Sequence, residues 1–221
     1  MKKDFIEFMV RSGVLTFGDF ITKSGRQTPY FINTGNYKTA SQISKLGQFY
    51  ATLLNEKFKT EKFTLFGPAY KGIPLVVTTA VALNNKYNLD PLYCFNRKEL
   101  KDHGEGGNLI GAKLHDGDNI IIIEDVITAG TAIRECLPIL QSSANVNIKA
   151  LIISVDRMEK GQSNLTAIEE IKQEFGIDTY PIVTVKDIIE TLHNNPVDGQ
   201  IIIDDTLKNK MEIYLDKYCI K

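Results

Sequence analysis

Residues 120–132 read IIIIEDVITAGTA: four consecutive isoleucines end in two adjacent carboxylates, Glu124 and Asp125. Val126 and Ile127 lead from there into a turn of small residues, Thr128, Ala129, Gly130, Thr131 and Ala132. An unbroken β-branched run predicts a strand buried on both faces, and the small residues predict a tight turn into a helix. Backbone N–H groups at such a turn converge on one point, with the positive end of the helix dipole behind them, and so cradle a phosphate. Carboxylates do not help to bind a bare anion. They accept hydrogen bonds from two neighbouring hydroxyls, as on a ribose, or face a hydrated Mg²⁺. A sugar phosphate satisfies both halves of the pattern. An isolated acid at a strand end would more often be a helix cap, but the thirteen-residue pattern is far more specific than its acid pair.

Other phosphate and metal motifs fail on the same chain. GGNLIGAK at 106–113 has Ala112 where a Walker A loop needs its lysine. Gly104, Gly106 and Gly107 do not complete GxGxxG, and His103-Gly104-Glu105 has no PCxxC partner for a zinc deaminase site. The stretch around them, NRKELKDHGEGGNLIG at 96–111, nonetheless concentrates Arg97, Lys98, Lys101 and His103 within seven positions. A solvated loop would explain those charges, but structureless loops beyond about 12 residues are usually functional or disordered. The reading is a mobile cationic lid that closes over a polyanion, excludes water and stabilises charge on a leaving group.

Two further segments join this set. GPAYKG at 67–72 follows a predicted strand, and its proline and glycines shape a turn that presents Lys71 to a second phosphate. SVDR at 154–157 ends another strand with Arg157, while KSGRQTPYF at 23–31 brings Lys23, Tyr30 and Phe31. Arg157 and Lys23 offer cationic donors for a carboxylate or imide. The bland alternative for Arg157 is a brace that pairs with Asp156 or Glu159.

The elements that must position these residues follow from periodicity. Phe5, Phe8 and Met9 predict a short first helix stopped by Gly13, and residues 15–33 predict a hairpin turning at 24–27. Ile43, Leu46, Phe49, Tyr50, Leu53 and Leu54 predict a long amphipathic helix. Beyond residue 60 strands at 63–66, 91–96, 120–123, 148–155 and 180–185 alternate with helices at 73–87, 131–140, 165–175 and from 186. The expectation is an α/β fold with a five-stranded parallel sheet flanked by helices. It divides as helix and hood at 1–36, core at 37–193 and tail at 194–221. Ligands of such sheets bind outside the carboxyl ends of the strands, where all these motifs fall.

Composition narrows the function class. Twenty-six basic against 27 acidic residues leave a net charge of −1, which provides no global field for nucleic acid or an anionic membrane. Cys94, Cys136 and Cys219 form no CxxC pair, so neither a disulfide framework nor a structural zinc site is expected. No signal-peptide pattern or long apolar run is read, and the expected compartment is the cytoplasm.

IIIIEDVITAGTA resembles the phosphoribosyl diphosphate (PRPP) signature of the type I phosphoribosyltransferases. NRKELKDHGEGGNLIG, with KSGRQTPYFIN, GPAYKGIP and SVDRMEKG, looks like the family of orotate phosphoribosyltransferases, over roughly residues 5–190. The resemblance implies that Glu124 and Asp125 hold the ribose hydroxyls and that residues 128–132 surround the 5′-phosphate. It implies that Tyr70, Lys71 and Arg97 meet the diphosphate, with Lys98, Lys101 and His103 supplied by a partner subunit of a homodimer. Lys23, Tyr30, Phe31, Thr128 and Arg157 would surround orotate. Lys101, His103 and Asp125 would be catalytic, and Mg²⁺ would arrive on PRPP rather than in a protein cage. The implied reaction gives orotidine 5′-monophosphate and diphosphate, a step of pyrimidine biosynthesis. Competing readings are a transferase for uracil or a purine, and a PRPP-sensing regulator without catalysis. The tail beyond His193 carries no motif.

Overall fold

The computed structural model describes residues 1–22, 25–59, 61–98, 108–127, 130–161 and 163–219. Helix α1 (Lys2–Arg11) is followed by a hairpin of β1 (Leu15–Ile21) and β2 (Gln27–Ile32), then by a 3-10 turn, Thr34–Asn36. The capping box of Thr39 and Gln42 starts α2 (Ala40–Phe58) by satisfying backbone donors at both positions. The core then runs β3 (Thr64–Gly67), α3 (Gly72–Tyr87), β4 (Leu92–Asn96), β5 (Leu109–Gly111), β6 (Asn119–Ile123), α4 (Thr131–Ser143), β7 (Asn147–Asp156), α5 (Ala167–Phe175), β8 (Thr179–Thr184) and α6 (Val185–Leu192).

The main sheet has the order β5-β4-β3-β6-β7-β8. Its five strands from β4 to β8 pair in parallel, as periodicity predicts, and β5 adds a sixth strand antiparallel to β4. In the sequence its residues form the end of the expected lid loop. Gly111 makes it possible: its φ is +99°, and a Cβ there would lie 3.1 Å from the Cα of Cys94 on the neighbouring strand.

β6 lies at the sheet centre with all four isoleucines fully buried. Its two faces belong to different cores. Ile121 and Ile123 join the cluster of α1, α2, α3, the hairpin and α6, whereas Ile120 and Ile122 join that of α4 and α5. This two-sided burial explains why β6 carries no polar alternation. It ends abruptly at Glu124, where the sheet meets the site.

The tail is an integral part of the fold. A small hairpin, β9 (Pro196–Val197) with β10 (Gln200–Ile201), leads into α7 (Asp205–Tyr218), whose buried Met211 and Tyr214 pack in the same cluster as Tyr30 of β2. Its helical pattern is weak because only one narrow stripe is covered.

α2 and α3 pack closely where Gly47 meets Thr78. A Cβ at Gly47 would sit 2.5 Å from the Thr78 carbonyl oxygen and 2.6 Å from its hydroxyl. Gly47→Ala should therefore cost about 1 to 3 kcal/mol through forced separation of the two helices. Thermal unfolding measures it, and an unchanged melting temperature would refute the close approach.

Candidate active site

The carboxyl ends of β3, β4, β6 and β7 converge on the acid pair. Glu124 and Asp125 are both more than nine-tenths buried. Their backbone is tied from two sides: the Tyr50 hydroxyl of α2 donates to the Glu124 carbonyl at 2.8 Å, and Ser154 of β7 donates to the Asp125 carbonyl through its N–H at 2.8 Å and its hydroxyl at 2.6 Å. Such ties, each worth about 1 kcal/mol, fix where the carboxylates point.

The side chains are fixed as tightly. Asp125 Oδ2 accepts from the Thr34 hydroxyl at 2.6 Å and from Lys71 Nζ at 2.9 Å, while Oδ1 accepts from the Val126 N–H at 2.7 Å. Glu124 Oε1 accepts from the Asp125 N–H at 2.8 Å. The two acids consequently titrate in opposite directions. Burial raises the Glu124 pKa and the neighbouring charge of Asp125 adds to it. Burial alone would raise Asp125 too, but the Thr34 hydroxyl and the Lys71 ammonium overcome it and leave this group below its ordinary value.

The turn that carries Lys71 is built by close approach. A Cβ on Gly72 would lie 2.7 Å from Pro68 and 2.8 Å from the Gly67 carbonyl carbon. Asn96, buried at the end of β4, accepts from the Ala69 N–H through its Oδ1 at 2.8 Å, and the peptide between Ala69 and Tyr70 is cis. Tyr70 is exposed, with Lys98 Nζ 5.3 Å above its ring.

A cavity of about 440 Å³ gathers these elements. Its lining includes Tyr70, Lys71, Lys98, Glu124, Asp125, Val126 and Ile127, together with Gly130, Thr131 and Ala132 at the start of α4. Gly130 takes φ +68° as the residue preceding the helix, so α4 directs its N-terminus into the cavity. Arg97 lies beside Lys98, its N–H donating to the Asn108 carbonyl at 2.8 Å. Lys23, Lys101, His103, Thr128 and Ala129 lie outside the described residues.

Among the described residues, those expected to meet the base do not line this cavity. Tyr30 is fully buried and Phe31, next on β2, is 38% exposed, as strand alternation requires. Arg157 is buried and pairs with Glu159, its Nε and Nη2 donating to Oε1 at 2.8 and 2.6 Å. Its guanidinium lies 4.8 Å above the Tyr30 ring. The position remains close to the acids in the sheet, because Val126 bridges Val155 two residues before Arg157.

Thr34, Tyr50, Asn96 and Ser154 are the residues that sequence reasoning missed. Each acts by a hydrogen bond to a distant segment. Asn96 and Ser154 open motifs already singled out and Thr34 follows the hairpin motif, whereas Tyr50 had no signal beyond its place on the apolar face of α2.

A paired acid at a strand end, a lysine-bearing turn and a helix N-terminus thus surround one cavity. The phosphoribosyl transferase domain model matches residues 33–181, which includes all of them. The orotate phosphoribosyltransferase of Clostridium beijerinckii is 56% identical over 220 residues, covering 100% of this chain and 98% of that protein. The chain belongs to the orotate phosphoribosyltransferase family. The Clostridium acetobutylicum orotate phosphoribosyltransferase is 54% identical with the same coverage. The crystal structure of orotate phosphoribosyltransferase from Francisella tularensis matches with a TM-score of 0.84 and 37% identity, over 98% of this chain and 100% of that one. An adenine phosphoribosyltransferase from Leishmania donovani shares the fold alone, at 11% identity, a TM-score of 0.53 and coverage of 82% and 80%.

The opposed shifts of the acids have opposite signs in stability. A raised Glu124 contributes fully below the ordinary carboxylate range and loses that contribution as pH rises through its raised value; a lowered Asp125 contributes above the ordinary range and fades as pH falls through its lowered value. Glu124→Gln removes the first and keeps the second. Denaturant unfolding across pH should show wild type losing stability relative to Glu124→Gln as pH rises above the ordinary carboxylate range. Parallel profiles would disprove the raised Glu124.

Proposed function

We infer that the chain transfers the 5-phosphoribosyl group from PRPP to N1 of orotate, giving orotidine 5′-monophosphate and diphosphate in pyrimidine biosynthesis. The observation that carries this reading is the cavity in which Glu124 and Asp125 meet Lys71 and the N-terminus of α4, in a chain 56% identical over its whole length to a protein named for this activity.

The ribose hydroxyls donate to Glu124 and Asp125, and the 5′-phosphate accepts from the backbone at residues 128–132. Tyr70, Lys71 and Arg97 face the diphosphate. Lys71 leaves Asp125 as the diphosphate arrives, which exchanges one anionic partner for another and frees the carboxylate for the sugar. N1 of orotate then attacks the anomeric carbon as the carbon–oxygen bond to diphosphate breaks, with inversion. No protein nucleophile is needed. Positioning, cationic stabilisation of the leaving group and exclusion of water supply the rate enhancement.

The donor set suits a metal brought by the substrate. Among the described residues no three His, Cys, Asp or Glu side chains gather as a metal site, and Asp125 already has a cationic partner at 2.9 Å. Two adjacent carboxylates fit a Mg²⁺ ligated mainly by substrate oxygens and water, with Glu124 and Asp125 as its protein neighbours. When bound, the metal neutralises charge on the diphosphate. The described residues include no helix long and apolar enough to cross a membrane, in keeping with a cytoplasmic enzyme.

Orotate, uracil and hypoxanthine offered with PRPP and Mg²⁺ test the base directly, followed by loss of substrate absorbance. Orotate alone should be consumed. Arg157→Leu should lower orotate turnover by about 30-fold to several thousand-fold, the range for truncating one partner of a buried charge pair. PRPP affinity should change little. A variant that melts early and loses both substrates together would identify Arg157 as a brace only.

The homodimer with a shared lid has a separate test. Lys101→Ala and Asp125→Ala subunits, each inactive, should regain activity when dissociated and reassembled together, since hybrids contain one site with both parts intact. Mixtures as inactive as their parents would place the lid within its own chain.

A further inference from the structure

Arg157, Glu159 and the tail helix meet in one buried cluster. Met158 adopts φ +57°, and its N–H donates to Asp156 Oδ1 at 2.8 Å. That turn sends Glu159 back beneath Arg157. One carboxylate oxygen, Glu159 Oε1, receives three donors: Arg157 Nε at 2.8 Å, Arg157 Nη2 at 2.6 Å and the Tyr214 hydroxyl of α7 at 2.6 Å. The other oxygen lies 3.5 Å from Arg26 Nη1 on the hood. Tyr214 also meets Tyr30 edge to face at 5.9 Å, beneath the Arg157 guanidinium. Backbone pairing closes the cluster: Glu159 bridges Cys219 just past α7, and the Lys160 N–H donates to the Tyr218 carbonyl at 2.9 Å.

The arrangement constrains the guanidinium in a particular way. Nε and Nη2 are both committed to a single oxygen of Glu159. Two guanidinium groups face the Glu159 carboxylate, with Arg157 in the closer pairing. The Tyr214 hydroxyl shares that oxygen with Arg157 and so helps to fix where Glu159, and with it the guanidinium, lies.

We propose that Tyr214 of the C-terminal helix is a positioning residue for the base site: through Glu159 it orients Arg157 toward the carboxylate of the incoming base. This rests on the reading that the base is orotate and that Arg157 recognises it. The tail thereby acquires a role in specificity without touching the substrate.

Tyr214→Phe removes the hydroxyl and keeps the ring packed against Tyr30. It should raise KM for orotate about fivefold, within the range of coupling between residues of one network, with a smaller change in KM for PRPP. In an Arg157→Lys background, where the forked contact with Glu159 is lost, the same change should have little further effect on orotate binding by titration calorimetry. A mere fold brace predicts equal losses for both substrates and the same factor in either background; either result overturns the proposal, as does an unchanged orotate KM. Should Tyr214→Phe melt below the assay temperature, Glu159→Gln carries the same comparison. If wild type ignores orotate, or Arg157→Lys binds it as well as wild type does, the reading of the base site fails first, which is a different outcome from an intact Arg157 effect with a silent Tyr214.

Discussion

Two adjacent carboxylates buried at the end of the central strand are the constraint on which this structure turns. Neither acid is free to be solvated, and each occupies a position where the other raises the cost of ionisation. The fold resolves this asymmetrically. Thr34 and Lys71 converge on Asp125, so it holds the charge, and Glu124 has a raised pKa beside it. Lys71 is mostly exposed, which limits what its ion pair adds to stability. The same cation that neutralises Asp125 also lines the cavity.

Around that centre, distant segments contribute single atoms. A tyrosine hydroxyl from α2, a serine from β7, a threonine from the turn after the hood and an asparagine from β4 all hydrogen-bond to the acid pair or its neighbouring turn. Several of these partners are themselves in the sheet or packed on it, so the fully buried isoleucines of β6 set the geometry of the site as well as the stability of the core. Close approach of backbone at Gly67 and Gly72 does the same for the turn that carries Lys71.

Much of this was legible in the sequence because it is local. The run of four isoleucines, the acid pair and the small-residue turn are consecutive, and the alternation after residue 60 predicts the five parallel strands that are found. What escaped was non-local. β5 is a three-residue strand whose only mark is a glycine at positive φ within a polar loop. Thr34 shows nothing of its partner 91 positions away. α7 buries only Met211 and Tyr214, too narrow a stripe to announce that the tail belongs to the fold. The choice between recognition and brace for Arg157 was visible from sequence, since Glu159 stands two residues on, but not its partnership with Tyr214 across 55 positions.

The acid pair and the Arg157 cluster therefore obey different rules. At the acid pair the protein gathers carboxylates and neutralises one with an exposed lysine. At the 156–160 turn a guanidinium is held by a carboxylate that also answers to the hood and the tail, through Arg26 and Tyr214. A side chain with rigid, delocalised charge suits that second arrangement, because its donors leave fixed directions once two of them are committed. The acid pair is thus held by the central sheet and α2, and Arg157 by segments outside them, since Glu159 ties the hood, the 156–160 turn and the tail to one oxygen pair.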